Sequence, residues 1–492
     1  MAKKKKEARD DKVTFDIDKE KDFSQWFTEI IKVAELADLR YNVKGFIVFR
    51  PWAVQCMKQM YRVFERELEK RGHKPVIFPA VIPERNFHLE AEHVEGFAPE
   101  VFWVTETGNG NKLEEKLALR PTSETAFYKM YPLWIRSYKD LPLKIYQSVS
   151  VFRHETKATR PFLRSREFYW IEAHNAFASE QGARNQVKED MEITQEAMYM
   201  QMGVPFIFFK RPQWDKFPGA INTFAADTLM PDGKVIQQPS THLLGQNFSK
   251  PFNISFEDKN GKEKFVWQTC YGPCISRIFA SVIAWHGDNK GLIFPFDVAP
   301  VQIVIVPIRM HEDKAVLKKA QALKDELFDK GYRVEIDDSD KRPGEKYYFW
   351  EMKGVPLRFE IGPREVKAEE LMVFRRDNGK KEKVKEKDLF NFIEKADKDI
   401  IKNLRAKADA KFKNAIMDAK SVADIIKAVK NGKIARASFC SLDLDGEKCA
   451  EVIEKNMGAR ILGSRFGEKA KPKECVVCGK PGKEFVYIGR PY

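Results

Sequence analysis

Residues 151–168 read VFRHETKATRPFLRSREF: four arginines, two glutamates and a proline between two apolar runs. A charge-rich loop is ordinarily a solvated surface feature. Here the flanks argue otherwise. KIYQSVSVFR (144–153) and REFYWIEAHNAF (166–177) carry the β-branched and aromatic residues of strands, so the segment reads as strand, loop, strand. Two-residue alternation sets Val151, Arg153 and Glu155 on one face of the first strand, and Phe168, Trp170, Glu172 and His174 on one face of the second. Paired, they make a sheet face too charged for a core and too aromatic for a solvent face. Such a face suits a ligand with anionic, planar and amine parts. Arg153 offers a forked cation for phosphate or carboxylate, Phe168 a stacking plane, and Glu155 an acceptor for an amine.

The gross numbers fit this reading. A chain of 492 residues has room for two to four domains. A net charge of +14, with 72 acidic residues present, is a positive excess on a mixed surface. That excludes a histone-like polycation and suits a folded protein that meets nucleic acid over part of its face. No apolar run approaches the roughly 18 residues of a membrane span. MAKKKKEARDDK has no apolar core behind its lysines, so a signal peptide is not expected; residues 1–20 read as a disordered basic tail. Four of the seven cysteines, Cys440, Cys449, Cys475 and Cys478, crowd the last tenth of the chain. With a reducing, cytoplasmic setting expected, such a cluster suggests metal before disulfide. No GxGxxG or GxxxxGK[ST] opens a helix, which argues against a dehydrogenase or a P-loop nucleotidase.

Outward from the hairpin, residues 21–298 alternate antiparallel strands with helices. A helix begins at Pro51 and stops near Gly72, and PVIFPAVIP (75–83) reads as a strand broken by prolines. A helix spans 179–203, a Pro-Asp-Gly turn joins two strands near 222–237, and CISRIFASVIAWHGD reads as an apolar helix. The pattern differs over residues 299–405, where VQIVIVPI, YRVEID and PLRFEIG are apolar strands separated by helices, an α/β domain with parallel strands. DNGKKEKVKEKD (377–388) reads as a charged linker. Residues 406–492 form a C-terminal domain around the cysteines. The overall class is α+β.

Three smaller patterns carry chemistry. In RPTSET (120–125), Thr122 and Glu124 could hold a cationic amine, although the same letters also describe a helix cap. Arg277 stands at the start of a helix, where a cation opposes the dipole, and a bound polyphosphate would compensate. CVVCGK has the Cys-x-x-Cys-Gly knuckle of tetrahedral zinc, and four thiolates leave no open position, so its role is structural.

Taken together these motifs resemble the class II aminoacyl-tRNA synthetases. FRHE with RSREF looks like their second motif, CYGPCISR like their third, and the long helix into VIFPAVIP like their first, with Pro79 near a dimer contact. More narrowly, RPTSET, RPFLRSREFYWIEAH, HLLGQNF (242–248) and HGDNKGL (286–292) resemble prolyl-tRNA synthetases of the archaeal and eukaryotic type, over nearly the whole chain after residue 20. The resemblance implies a homodimer that activates proline with ATP and Mg²⁺, releases pyrophosphate and transfers proline to tRNA(Pro). It implies that Arg153 holds the α-phosphate and proline carboxylate, Glu155 the adenine amine, and Phe168 the adenine plane. Arg164 and Arg277 would grip the outer phosphates, and Gln237 would lie near the nucleotide. Thr122 and Glu124 would bind the imino group, with Trp170, Glu172 and His242 lining or supporting the amino-acid pocket. The 299–405 domain would bind the anticodon, and Tyr492 would pack toward the catalytic domain. Two departures stand out. QQPSTH (237–242) has Pro239 where the family has a small residue, and the Cys440–Cys449 spacing is long. Only about 90 residues separate His174 from Trp267, so no inserted editing domain is expected, and cysteine or alanine misactivation follows. The alternatives are a threonyl, seryl or glycyl relative, or a synthetase-like RNA-binding protein without catalysis.

Overall fold

The computed structural model describes residues 15–87, 89, 101–155 and 158–492. Residues 1–14 of the expected tail, and Lys157 of the charged loop, lie outside the described residues. Phe15–Glu20, assigned above to the tail, instead lie along the body. Phe15 meets Trp26 edge-on, and Lys19 is buried with its Nζ 2.5 Å from the Gly287 carbonyl.

Helix α1 (Phe23–Val33) is capped by Asp22, which accepts from the Gln25 N–H, and it buries Phe23, Trp26, Phe27, Ile30 and Ile31 at helical spacing. Helix α2 (Pro51–Glu69) starts on proline as expected, and Gly72 beyond it takes φ +83°, a conformation only glycine adopts cheaply. PVIFPAVIP is not one strand. Lys74–Pro75 (β1) joins the main sheet, whereas Val81–Pro83 pairs with Lys112–Leu119 in a separate three-stranded sheet. Pro79 supplies no N–H for a continuous ladder.

The main sheet continues with β2 (Leu143–Phe152), β3 (Glu167–Phe177), β4 (Ile207–Lys210), β5 (Asn222–Leu229), β6 (Lys234–Gly245) and β7 (Trp267–Gly272). Helices α3 (Glu124–Trp134), α4 (Glu180–Thr194) and α5 (Ile275–His286) accompany them. The opening hairpin forms as read, with Val151 opposite Phe168, Gln147 opposite Glu172, and Ile145 opposite His174. Residues 178–266 are taken up by α4, β4 to β6 and the small hairpin Ser255–Glu257/Glu263–Phe265. The departure at Pro239 has a structural counterpart. The β5–β6 register slips between Ala225 and Asp227, so the proline sits at a bulge where no ladder N–H is needed.

The second domain is a five-stranded sheet in the order β9-β8-β10-β11-β12, formed by β8 (Ile303–Pro307), β9 (Val334–Ile336), β10 (Leu357–Ile361), β11 (Glu370–Arg375) and β12 (Lys381–Lys385). β8 runs parallel to β9 and β10, as the apolar runs predicted. The charged linker reading of 377–388 is wrong: β12 pairs antiparallel with β11. Asn378 and Gly379, the latter at φ +71°, make the turn, and only Val384 of the strand is buried. A lysine-rich edge strand has the composition of a linker because its charges deter further pairing.

The C-terminal lobe contributes β13 (Ile416–Ala419), β14 (Ile434–Phe439), β15 (Arg460–Arg465) and β16 (Glu484–Pro491). It does not stand apart. β15 pairs with β4 through Ser464–Lys210 and Arg465–Phe209, so one eleven-stranded sheet runs β13-β14-β16-β15-β4-β5-β6-β7-β3-β2-β1 through both domains.

Candidate active site

A cleft of about 200 Å³ opens over the face of β3, β7, β6 and β5. Its lining includes Glu124, Arg153, Phe168, Trp170, Glu172, Gln237, His242 and Arg277, eight of the residues singled out in the sequence. Alternation explains the convergence, since every second residue of β3 from Phe168 to His174 borders the same cavity.

One end of the cleft is cationic. Arg153 follows β2, donates from Nε to the Pro121 carbonyl at 3.0 Å, and lies 5.3 Å from the Phe168 ring and 5.5 Å from that of Trp170. Arg277, in the first turn of α5, donates to the Gln237 carbonyl at 3.1 Å and the Leu163 carbonyl at 3.3 Å. These carbonyls offset part of the dipole conflict that the sequence raised.

The other end is a buried anionic corner. Glu172 accepts from Ser123 Oγ (2.6 Å), the Ser123 N–H (3.0 Å) and Gln147 Nε2 (2.7 Å), and lies 3.1 Å from His174 Nε2. Burial pushes its carboxyl up, but the bonds from His174, Ser123 and Gln147 outweigh this and hold it below the usual range. Glu172 thereby pins the 120–125 turn to the sheet. Thr122 borders the corner through its hydrogen bond to Glu124 and does not itself line the cleft. His242 shares hydrogen bonds with Thr223 (2.9 Å to Nδ1) and Ser240 (3.0 Å to Nε2), and burial lowers its pKa to about 3, so the ring is neutral.

Glu155 and Arg164 fall outside this cleft. They form an ion pair at 3.0 Å, and Arg164 also donates to the Tyr492 main-chain oxygen at 2.7 Å. Arg164 lines an adjoining cleft of about 210 Å³ that shares Gln237 and Arg277 with the first. The Tyr492 hydroxyl is anchored by Asp232 (2.8 Å) and Arg160 (2.7 Å). Arg160 of the same loop is thus a structural tie.

Sequence reasoning missed Arg211, Asp227 and Cys270. Arg211 makes two 2.7 Å bonds to Asp227, one of 2.6 Å to the Leu462 carbonyl and one of 3.1 Å to Gln237 Oε1. Its stretch, KRPQWDKF, has no period to mark it. The useful signal was an arginine before proline 16 residues ahead of an aspartate in a strand that is otherwise mostly apolar and uncharged.

The antiparallel sheet, with arginines from the strand-loop-strand hairpin and from the helix after β7 facing one cleft, defines a class II aminoacyl-tRNA synthetase core. Family models agree: "tRNA synthetase class II core domain (G, H, P, S and T)" matches residues 102–286, "Anticodon binding domain" 302–396, and "Prolyl-tRNA synthetase, C-terminal" 422–492. The proline--tRNA ligase of Thermofilum pendens is 50% identical over 481 residues, covering 97% of this chain and 98% of the relative. That of Methanococcoides burtonii is 44% identical over 495 residues, covering 100% of both chains. The solved Giardia lamblia prolyl-tRNA synthetase in complex with prolyl-adenylate superposes with a TM-score of 0.93 at 37% identity, over 97% of this chain and 100% of that one. The chain belongs to the prolyl-tRNA synthetases of the archaeal and eukaryotic type.

Four further side chains form a separate cluster: the Sγ atoms of Cys440, Cys449, Cys475 and Cys478 lie within 4.8 Å of one another. The knuckle turn is built by Gly479 N–H to the Cys475 carbonyl (2.9 Å) and Cys475 N–H to the Lys480 carbonyl (2.8 Å). Among the described residues, no helix is long and apolar enough to cross a membrane.

Proposed function

We infer that this chain ligates proline to tRNA(Pro) in two steps within this cleft. The observation that carries the reading is the polarity of that cleft, with guanidinium groups at one end and buried carboxylates at the other. Thr122 and Glu124 take the imino group of proline, and Glu172 holds them in place. The proline carboxylate is thereby directed at Arg153. A carboxylate oxygen attacks the α-phosphorus of ATP, the bond to pyrophosphate breaks, and the adenylate forms. Two anions must meet, so the protein supplies position and positive charge rather than a nucleophile. Arg153 offsets charge on the α-phosphate and Arg277 on the departing pyrophosphate, while Phe168 packs on adenine. Glu155 and Arg164 exchange their mutual ion pair for the adenine amine and the outer phosphates. Mg²⁺ accompanies ATP as part of that substrate. In the second step the terminal ribose hydroxyl of tRNA attacks the prolyl carbonyl and AMP leaves. The 302–396 domain meets the anticodon.

The C-terminal thiol set has the donor chemistry of a structural Zn²⁺ site, with Cys440, Cys449, Cys475 and Cys478 as ligands. Exposed Ile77 and Val81 lie on either side of Pro79 in the 74–83 segment, where a homodimer contact is assigned. The setting is cytoplasmic, and cysteine and alanine are activated at low efficiency. ATP–pyrophosphate exchange tests the main reading. Exchange should depend on proline and collapse in Arg153→Ala; no exchange with proline refutes the function, and exchange that survives Arg153→Ala refutes the role given to Arg153.

A further inference from the structure

Deep in the cleft, a Glu124 carboxylate oxygen, a His174 ring nitrogen and the Cys270 sulfur lie within 4.8 Å of one another. They come from three elements: the first turn of α3, then β3 and β7. His174 and Cys270 are directly opposed in adjacent strands, so the pleat aims both at one face. All three are buried, at 3%, 0% and 4% exposure, yet all three border the cavity.

The Cys270 thiol and the Thr122 hydroxyl both hydrogen-bond the Glu124 carboxylate. One oxygen, one nitrogen and one sulfur around a shared point is also the mixed donor set of an exchangeable zinc site, which keeps a fourth position open. Ligand atoms about such an ion sit about 3.3–3.8 Å apart, so only a small closure is needed. The surroundings match as well. Of the two imidazole nitrogens, one has Glu172 Oε2 at 3.1 Å and the other the Tyr128 hydroxyl at 3.3 Å. Whichever nitrogen ligates, an oxygen orients the opposite side of the ring, as metal-bound histidines require.

We propose that Glu124, His174 and Cys270 form a site for a thiophilic divalent cation of the zinc class at the floor of the cleft, and that this ion and proline exclude one another. Binding forms bonds from the ion to the carboxylate oxygen, the imidazole nitrogen and the thiolate sulfur, and releases the thiol proton to solvent. The site itself rests on geometry. The mutual exclusion rests on the assignment of Glu124 to the imino group, because one carboxylate cannot serve an ion and an ammonium together. Free zinc is thereby a brake on proline activation.

The test uses the full-length protein with its four-cysteine cluster filled with Zn²⁺, titrated with Co²⁺. A one-thiolate cobalt charge-transfer band should grow to one equivalent. Cys270→Ser should abolish the band and weaken binding by more than the roughly 10–100-fold that an outer-shell change costs. Cys274→Ser, beside the same cleft, should keep the band. No band in the wild type, or a band that survives Cys270→Ser, overturns the site. Should Cys270→Ser misfold by circular dichroism, Glu124→Gln decides instead, by the same loss of affinity. Proline at about ten times its own dissociation constant should raise that of Co²⁺ about tenfold. An unchanged Co²⁺ affinity overturns the exclusion. Failure of proline-dependent exchange in metal-free buffer is a separate result that strikes the proposed function and leaves the cobalt spectrum as judge of the site.

Discussion

Replacing Glu172 by glutamine changes one heavy atom and little volume, yet the structure predicts a large and selective loss. The carboxylate accepts two bonds on Oε1, from Ser123 Oγ and Gln147, and faces the Ser123 N–H and His174 on Oε2. A glutamine oxygen at the first position keeps the first pair. Its amide nitrogen then points at the Ser123 N–H, a donor that cannot turn round. His174 can adapt by changing tautomer; the backbone cannot. An orphaned buried N–H costs about 1–3 kcal/mol, and two bonds falling from charge-assisted to neutral cost about 1 kcal/mol each, giving about 3–5 kcal/mol in all. Because these bonds pin the 120–125 turn, the cost falls on placing Thr122 and Glu124. A loss of about 3 kcal/mol corresponds to roughly 100-fold in kcat/KM for proline, with the KM for ATP little changed. ATP–pyrophosphate exchange at varied proline and varied ATP, beside a thermal melt, makes the measurement. A kcat/KM for proline within about threefold of wild type, or a defect in ATP alone, refutes the claim that Glu172 acts through this turn.

Three other outcomes follow from buried polar contacts. Arg211→Met strands Asp227 inside the sheet and should destabilise by about 3–5 kcal/mol, most of it recovered in Arg211→Met/Asp227→Leu; a double variant no more stable than the single one in denaturant unfolding refutes the pairing argument. Asp190, behind β6 and bonded to Thr241 at 2.6 Å, has its pKa pushed up to about 7 by burial. A raised carboxylate pKa means that the native state keeps its proton longer, so its contribution to stability falls as pH rises from about 4 to about 7. Asp190→Asn should therefore gain on wild type by on the order of 2–3 kcal/mol between about pH 5 and about pH 8, seen as a melting-temperature difference that widens with pH; a constant difference contradicts it. Tyr492→Phe removes hydroxyl contacts to both Arg160 and Asp232 and should cost about 1.5–3 kcal/mol, with an altered KM for ATP through Arg164 in exchange kinetics; unchanged stability rules out the tie.

What could be read from the sequence follows from the range of the interactions involved. Strand alternation operates within a few residues, so Phe168, Trp170, Glu172 and His174 were placed on one face correctly. Arg153 kept its place because the hairpin fixes its register. Glu155 and Arg164 are loop residues; their ion pair depends on a chain path that no period encodes. Arg211 escaped notice because each of its partners is distant in sequence, the Leu462 carbonyl lying 251 residues away. β12 was lost for a different reason, since an edge strand and a linker are selected for the same lysines.

The eleven-stranded sheet also constrains the order in which the molecule is made. β4 emerges from the ribosome near residue 210, but its neighbour β15 does not exist until about 250 residues later, and β16, which lies between β14 and β15, is made after both. Through most of synthesis the catalytic half therefore presents a bare strand edge, the kind of template on which nascent chains aggregate. The cysteine-bearing lobe serves as the closing seam of the synthetase body. Its removal by proteolysis or truncation would reopen that edge, leaving a core that tends to self-associate rather than a smaller working enzyme.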